Sequence, residues 1–367
     1  MLDETLLKRE ERAMLALRAL YRSRGYRPFR MSRFEEYEFY MRNKDYLESG
    51  RVITFTDTDG KLMALKPDVT LSIIKNGEDE PGCRQRVYYD ESVFRVPAGD
   101  RQFREIRQAG LECIGDVGLY EEYEVLLLAA GSLGAISERF VLDLSHLGIL
   151  SALLEETGLD EGFRRRAAAC FAEKNAHDLR ALCLGNGVDA DLTEKLCRCA
   201  ALNGPLVETV EELETLCPDS AAESLEELRT LGRLLGKTPW GDRVRLDFSV
   251  VNNMGYYSGI VFSGYLEGIV ETVLSGGRYD RLMQKLGRRS GAIGFAVYLD
   301  LLGALSGEEA DRDADVLLLA PGDADPEMVA RAAEKLAAEG KRVSVQARVP
   351  AALVYREAVR LEEVETC

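Results

Sequence analysis

The stretch that decides the fold is VFRVPAGDRQFREIRQAGLECIG, which runs from Val93 to Gly115. Its pattern predicts a strand, a charged loop and a second strand, together forming a β-hairpin. In the second strand Gln108, Gly110 and Glu112 occupy alternate positions and therefore point to the same face of a sheet. Because Gly110 has no side chain, we expect room for a ligand between the two polar groups.

More strands and helices lie on both sides of this hairpin. VITFTDTDGKLMALKPDVTL (52–71) alternates on both sides of an Asp-Gly turn at 59–60, which is a strong hairpin signal. Strands are predicted at 86–95, 103–115, 139–148, 243–251 and 256–268, helices at 3–24 and 119–137, and a strand leading into a helix at 292–305. Hairpins, an antiparallel sheet and flanking helices indicate an α+β fold.

Two further regions differ in composition from this β-rich core. From 149 to 240 Leu, Ala, Glu and Arg dominate, which predicts a helical insertion. Residues 306–314 are predicted to form an acidic linker. Beyond it, 315–367 predict a small C-terminal βαβ unit, with a helix that starts at Pro326 behind the capping residue Asp325. Its last residues, REAVRLEEVETC, are interpreted as a short helix or a frayed end. We therefore expect a core at 1–305, the linker, and a truncated α/β unit.

Composition and charge exclude several classes of protein. The chain has 367 residues and a net charge of −16, which argues weakly against tight binding of nucleic acid. No apolar run approaches the roughly 20 residues that span a bilayer, and the charged start has no signal-peptide core. We expect a cytoplasmic protein with reduced thiols. Cys197 and Cys199, with only His146 and His177 in the chain, do not predict a metal site. No cofactor is expected either.

Five blocks in order carry a resemblance to a known family. They are KPDVT (66–70), VFR…REIRQAGLECIG (93–115), GYYSGIVF (255–262), SGGRYD (275–280) and GFAVYLDLL (294–302). Through them residues 1–305 resemble the catalytic core of histidyl-tRNA synthetase, a class II aminoacyl-tRNA synthetase. The resemblance implies an antiparallel sheet of six or seven strands with the ligand lying across it.

The resemblance also implies a histidine site. Positions matching Asp68, Thr70, Gln108, Glu112 and Tyr257 line the amino-acid site of the synthetase, and Asp68 stands where the family usually has Glu. Histidine needs carboxylates near its ammonium group and acceptors for its imidazole N–H. Taken singly, these residues are more often a solvated face or packing, and the prediction depends on their falling together. The predicted histidine-binding residues are Asp68, Thr70, Arg95, Gln108, Glu112, Tyr256 and Tyr257.

The ATP side of the synthetase pattern is broken. Motif 2 keeps Arg95, but the acid expected two residues later is replaced by Pro97. Leu301 stands where motif 3 has an arginine, and Asn252 stands where another arginine is usual before the tyrosine pair. Losing one such charge-stabilising donor costs roughly 10²–10³ in rate. We therefore expect no adenylation of histidine.

A synthetase core with a histidine pocket and broken ATP chemistry resembles the family of ATP phosphoribosyltransferase regulatory subunits. That resemblance implies a non-catalytic, allosteric role in histidine biosynthesis, with a short-form catalytic subunit as partner in a hetero-octamer of four copies each. The short C-terminal unit predicts that no tRNA is bound. Two alternatives stay open, an active histidyl-tRNA synthetase and a stand-alone histidine-binding paralogue with another partner.

Overall fold

The protein is represented by a computed structural model, which describes residues 7–44, 47, 51–77, 82–96, 102–251, 256–305 and 312–365. The chain divides into two compact units, Met1–Ala304 and Leu305–Cys367. No helix in these described ranges is both long and apolar enough to cross a membrane.

The predicted hairpin forms the middle of the first unit. β5 (Arg84–Arg95) and β6 (Arg104–Gly115) are each 12 residues long. They pair antiparallel along their whole length, from Arg84 opposite Gly115 to Arg95 opposite Arg104. The sequence prediction of two strands here is confirmed, and the alternation of β6 decides which of its side chains face the site.

The large sheet has nine strands in the order β1-β5-β6-β12-β11-β10-β7-β9-β8. The strands not yet given are β1 (Arg27–Pro28), β7 (Phe140–His146), β8 (Asn203–Pro205), β9 (Val244–Asp247), β10 (Ile260–Leu266), β11 (Leu274–Arg278) and β12 (Gly291–Tyr298). The six strands from β5 to β7 are antiparallel, as expected. β1 and β9 join in parallel, so the complete sheet is mixed. Parallel neighbours need a long crossover, and the helical insertion that precedes β9 provides one.

Helices cover the sheet and fill the insertion. The helices of the first unit are α1 (Arg9–Ser23), α2 (Tyr37–Arg42), α3 (Thr70–Asn76), α4 (Leu119–Ile136), α5 (Leu147–Glu155), α6 (Glu161–Ala172), α7 (Ala176–Gly185), α8 (Ala190–Ala201), α9 (Leu206–Glu214), α10 (Ala222–Leu235) and α11 (Asp280–Lys285). α4 packs on the sheet and α1 packs on α4, where the buried Tyr21 hydroxyl lies 3.0 Å from Ser132 Oγ. Of the predicted helix at 3–24, the part before residue 7 lies outside the described residues.

The insertion is helical as predicted, except for β8. This three-residue strand reads Asn-Gly-Pro, a composition typical of turns, so nothing in its sequence indicated a strand. Short 3₁₀ helices lie at Asp219–Ala221, Gly241–Arg243 and Leu299–Ala304. The last of these replaces the α-helix expected after β12.

A second, small sheet has the order β2-β4-β3, from β2 (Phe34–Glu36), β3 (Thr54–Thr56) and β4 (Leu62–Leu65). The predicted hairpin is confirmed around Gly60, whose φ of +81° suits only glycine without strain. The prediction that strand alternation continues to residue 71 is wrong. The backbone N–H of Leu71 donates to Asp68 Oδ1 at 2.7 Å, which stabilises the start of α3 instead.

The second unit holds a three-stranded parallel sheet in the order β14-β13-β15. Its elements are β13 (Ala314–Leu319), α12 (Pro326–Ala338), β14 (Val343–Gln346), β15 (Tyr355–Arg360) and α13 (Leu361–Glu365). The expected βαβ arrangement is present. In the tail, Leu361–Glu365 form the short helix that was one of the two expectations, whereas the residues before it form the edge strand β15, whose charged side chains conceal the strand pattern. Of the predicted linker, 306–311 lie outside the described residues, and β13 already begins at Ala314.

Candidate functional site

A cavity of about 660 Å³, the central cavity, opens against the middle of the large sheet. Its walls come from the start of α3, from β5, β6, β11 and β12, and from the segment before β10. All seven predicted site residues line it, and they are Asp68, Thr70, Arg95, Gln108, Glu112, Tyr256 and Tyr257. The geometry thus brings together residues that are up to 189 positions apart in the chain, from 68 to 257.

Glu112 is the buried acid of the central cavity, with only 2% of its surface exposed. Thr70 Oγ1 donates to one carboxylate oxygen at 2.8 Å, and the Tyr279 hydroxyl donates to the other at 2.6 Å. Burial raises the pKa of Glu112 to about 8, against the lowering effect of these two hydrogen bonds. Both partners are neutral, so near neutral pH the group can take up or release a proton.

A glycine on the neighbouring strand makes room for this carboxylate. Gly294 of β12 lies directly opposite Glu112 in the sheet. A Cβ atom at Gly294 would lie 1.7 Å from Glu112 Oε2, far inside any real contact. The position therefore requires glycine for a reason of space.

The space beside Gly110 is occupied, which corrects the sequence prediction of open room for a ligand. Tyr89, its partner across β5 and β6, places its hydroxyl there. A Cβ at Gly110 would lie 2.4 Å from that hydroxyl oxygen and 2.2 Å from the carbonyl oxygen of Phe295. Gly110 thus accommodates a tyrosine that lines the central cavity.

Tyrosine rings form a wall of the central cavity. The ring centroids of Tyr256 and Tyr257 are 4.7 Å apart, and those of Tyr256 and Tyr279 are 5.7 Å apart. Gly277 allows this packing, because a Cβ there would lie 2.7 Å from Tyr257 Cδ1. A flat apolar wall beside carboxylates suits a small aromatic cation.

Positive charge is sparse in the central cavity. Among its described lining residues Arg95 is the single cationic side chain, 6% exposed, with its guanidinium 5.9 Å from the centre of the Tyr298 ring. Leu301 lies in the 3₁₀ helix after β12 and is not among the lining residues. Asn252 and Pro97 lie outside the described residues.

Several lining residues were not predicted from the sequence. Tyr279 belongs to the SGGRYD block and directly follows β11, where its spacing from Ser275 and Gly277 was a signal that could have identified it. Glu271 and Thr272 lie in the loop before β11, where no pattern marked them. The residues missed are Val69, Tyr89, Glu271, Thr272, Ser275, Tyr279, Gly294, Phe295, Ala296 and Tyr298. Within the described ranges, no group of three His, Cys, Asp or Glu is placed to hold a metal ion.

Comparison with known proteins places this architecture. The family model of histidyl-tRNA synthetase matches residues 2–302, which is most of the chain. The ATP phosphoribosyltransferase regulatory subunit of Symbiobacterium thermophilum is 34% identical over 310 residues, covering 79% of this chain and 75% of the relative. A crystal structure of an ATP phosphoribosyltransferase regulatory subunit/histidyl-tRNA synthetase from Bacillus halodurans has a TM-score of 0.72 and 26% identity, covering 98% of this chain and 96% of that one.

A third likeness concerns the fold alone. The structure of an ATP phosphoribosyl transferase complex from Thermotoga maritima contains a chain with a TM-score of 0.62 and 19% identity, covering 79% of this chain and 97% of that one.

The family model and the sequence relatives, together with the sheet and the central cavity, define the class of this protein: the chain belongs to the histidyl-tRNA synthetase family. Within that family it belongs with the non-catalytic ATP phosphoribosyltransferase regulatory subunits and not with the active synthetases.

Proposed function

We propose that this regulatory subunit senses histidine in its central cavity, activates a short-form catalytic subunit, and transmits feedback inhibition by histidine. The regulatory role follows from the family of the chain. That the ligand is histidine, and that the residues of the central cavity bind it, is the part that goes beyond the family. The observation that carries this part is the convergence of Asp68, Gln108 and Glu112 on one cavity with a tyrosine wall.

The chemistry of the central cavity suits histidine. An ammonium group needs oxygen acceptors, and Asp68, Thr70 and Gln108 supply them. The imidazole N–H needs a further acceptor, and Glu112 is a candidate because each of its oxygens has a lone pair beyond the one that accepts from Thr70 or Tyr279. A volume of about 660 Å³ lies within the usual range of small-molecule sites.

The same cavity is poorly suited to adenylate formation. That reaction develops negative charge along a triphosphate, which fixed arginines normally stabilise. Arg95 alone provides such a group among the described lining residues. We therefore expect no histidine-dependent pyrophosphate exchange, and its detection at a synthetase-like rate would contradict the regulatory assignment.

The proposed partner is the short catalytic subunit, in a hetero-octamer with four copies of each chain. We expect the chain not to bind tRNA. For feedback inhibition, histidine must bind the less active state of the assembly more tightly than the active one. A coupling free energy of about 1–3 kcal/mol between the two sites is sufficient.

The decisive test uses the reconstituted complex. Wild-type chain should raise turnover of the catalytic subunit and confer inhibition by histidine, whereas Glu112→Gln should still raise turnover but lose at least tenfold in sensitivity to histidine. Glu105→Gln is the matched control, because it makes the same change at an exposed residue of β6 whose side chain points to the opposite face of the sheet from Glu112. Unchanged inhibition with Glu112→Gln would place the histidine site elsewhere. No effect of the wild-type chain on turnover would favour a stand-alone histidine-binding protein.

A further inference from the structure

Three consecutive residues, 278–280, touch both the central cavity and the elements that hold the helical insertion, and we name them the corner. They end β11 and begin α11. The side chain of Tyr279 lines the central cavity. The side chain of Arg278 points the other way and reaches Glu122 on α4. The corner therefore has one side chain on each side of the sheet.

On the cavity side, Tyr279 is in direct contact with groups of the proposed histidine site. Its hydroxyl donates to Glu112 Oε2 at 2.6 Å, and its ring centre is 5.7 Å from that of Tyr256. Tyr279 is buried, so its ring is packed closely against these neighbours. A ligand that binds beside Glu112 therefore acts directly on Tyr279.

On the other side, Arg278 reaches both ends of the insertion. Its Nη1 donates to Glu122 at 2.8 Å, and Glu122 lies within hydrogen-bonding reach of Glu227 on α10. The Glu227 carboxylate is 3.2 Å from Nε2 of His146, the capping residue of α5. Since α10 packs on α4 and α5, this chain of polar contacts follows the surface on which α10 is docked.

The backbone of the corner is held by several hydrogen bonds. The Asp280 carboxylate accepts from Arg278 Nε at 2.7 Å and from the N–H of Ala292 at 2.9 Å. The N–H of Tyr279 donates to the Ala292 carbonyl at 2.8 Å, and the N–H of Asp280 donates to Ser258 Oγ at 3.0 Å. Because these bonds tie both side chains to one short piece of backbone, Tyr279 and Arg278 do not shift independently.

The ion pair on the far side of the corner is sensitive to small displacements. Glu122 is fully buried, and its Oε2 has no hydrogen-bond donor among the residues that the structure describes. Separating a buried charge from its partner is strongly unfavourable, so Glu122 follows a shift of Arg278. Many buried ion pairs are only structural links. This one differs because its arginine shares a rigid backbone segment with a residue of the central cavity.

We propose that the corner couples occupancy of the central cavity to the docking of α10, so that the helical insertion takes part in the response to histidine. The coupling depends on the histidine site proposed above. Histidine bound to Glu112 fixes Tyr279, the corner passes this restraint to Arg278, and α10 docks more firmly. By linkage, breaking the docking of α10 weakens histidine binding by the same factor.

Hydrogen–deuterium exchange of the ligand-free, full-length chain, measured over peptides of α10, tests the corner without histidine. Tyr279→Phe removes the hydroxyl from Glu112 and should speed exchange in α10 by about fivefold or more, the lower end of usual coupling factors. Thr70→Val is the matched control, because it removes a hydroxyl donor from the same carboxylate at a residue outside the corner. It should leave α10 exchange as in wild type. Peptides of α1 show whether any change is global.

A second arm of the experiment adds saturating histidine. Exchange in α10 should slow by a similar factor in wild type and in Glu226→Gln, but not in Glu227→Gln. Glu226 is the neighbouring acid on α10, and its side chain is exposed. This pair of variants therefore separates loss of the contact with Glu122 from loss of one charge on α10.

Four outcomes would overturn the coupling. They are unchanged α10 exchange in Tyr279→Phe, equal acceleration in Tyr279→Phe and Thr70→Val, acceleration that extends to α1, and histidine binding to wild type with no effect on α10. Absence of histidine binding would instead overturn the proposed histidine site, and the comparison without ligand would still decide whether the corner links Glu112 to α10.

Discussion

Two buried glutamates, ten positions apart in the chain, have similar acidity and very different surroundings. Burial raises the pKa of Glu112 and of Glu122 to about 8. Glu112 faces the central cavity and, among the residues that the structure describes, accepts hydrogen bonds only from hydroxyl groups. Glu122, fully buried on α4, accepts from the guanidinium of Arg278 at 2.8 Å and lies within hydrogen-bonding reach of Glu227 on α10.

The surroundings of Glu122 form a closed network. The N–H of Gly148 donates to His146 Nδ1 at 3.1 Å, so the imidazole proton is on Nε2, which donates to Glu227 at 3.2 Å. Glu122 Oε2 is buried without any hydrogen-bond donor among the described residues, and the neighbouring Glu227 adds to the effect of burial in raising the pKa of Glu122. This network joins the first and last helices of the insertion to the sheet.

The comparison shows that a buried acid with a raised pKa does not by itself mark a binding site. Glu122 has its charge partner Arg278 in place and does not line the central cavity, which is the arrangement of a structural link. Glu112 has neutral donors and open space, which leaves its charge available to a ligand. The following predictions separate these two roles.

The largest effect is expected from Gly294→Ala. The new methyl group would displace the Glu112 carboxylate, so histidine affinity should fall at least tenfold, and overpacking should lower the free energy of unfolding by about 1–3 kcal/mol. Calorimetry and chemical denaturation measure the two quantities. Gly303→Ala is the control, since a Cβ there meets nothing within 4 Å. If Gly294→Ala bound histidine with wild-type affinity, Glu112 would not be a histidine-binding residue.

The next effect is on the pH dependence of histidine binding. A pKa of about 8 leaves Glu112 mostly protonated at pH 7, while the imidazole N–H of histidine binds best to the ionised carboxylate as acceptor. From pH 7 to 8 the affinity should therefore rise about fivefold, with release of a proton detectable in buffers of different ionisation enthalpy. Glu112→Gln should abolish this release and Glu122→Gln should leave it unchanged. Equal proton release on histidine binding in the two variants would contradict the assignment of Glu112 to the site and of Glu122 to a structural link.

A smaller effect concerns stability against pH. A carboxyl whose pKa is raised in the folded state stabilises the fold below its ordinary value of 4.5, and this stability is lost as pH rises towards about 8. The Tm of the wild-type chain should thus fall between pH 5 and 8. Glu112→Gln and Glu122→Gln should each make that fall less steep, as scanning calorimetry can measure. Saturating histidine should change the fall of Tm with pH in the wild-type chain and in Glu122→Gln, but not in Glu112→Gln.

The sequence predicted the central cavity well because its signals are local. Strand alternation placed Gln108 and Glu112 on one face, and family motifs located Tyr256 and Tyr257. Tyr89 was missed because its place beside Gly110 depends on the register of β5 against β6. That register is a tertiary property, which no pattern within one strand contains.

The Glu122 network was beyond sequence analysis for the same reason. Glu122 reads as one of several acids at the start of a helix, normally a solvated position. Its partner Glu227 is 105 positions later, on a helix whose packing against α4 only the folded chain establishes. The edge strand β15 was missed because its charged residues resemble those of an exposed helix or a frayed end.

Equilibrium dialysis of the purified chain with radiolabelled histidine tests the central claim most directly. One histidine should bind per chain to wild type and to Glu105→Gln, with Glu112→Gln at least tenfold weaker. Equal binding to all three proteins would contradict the assignment of the central cavity as the histidine sensor.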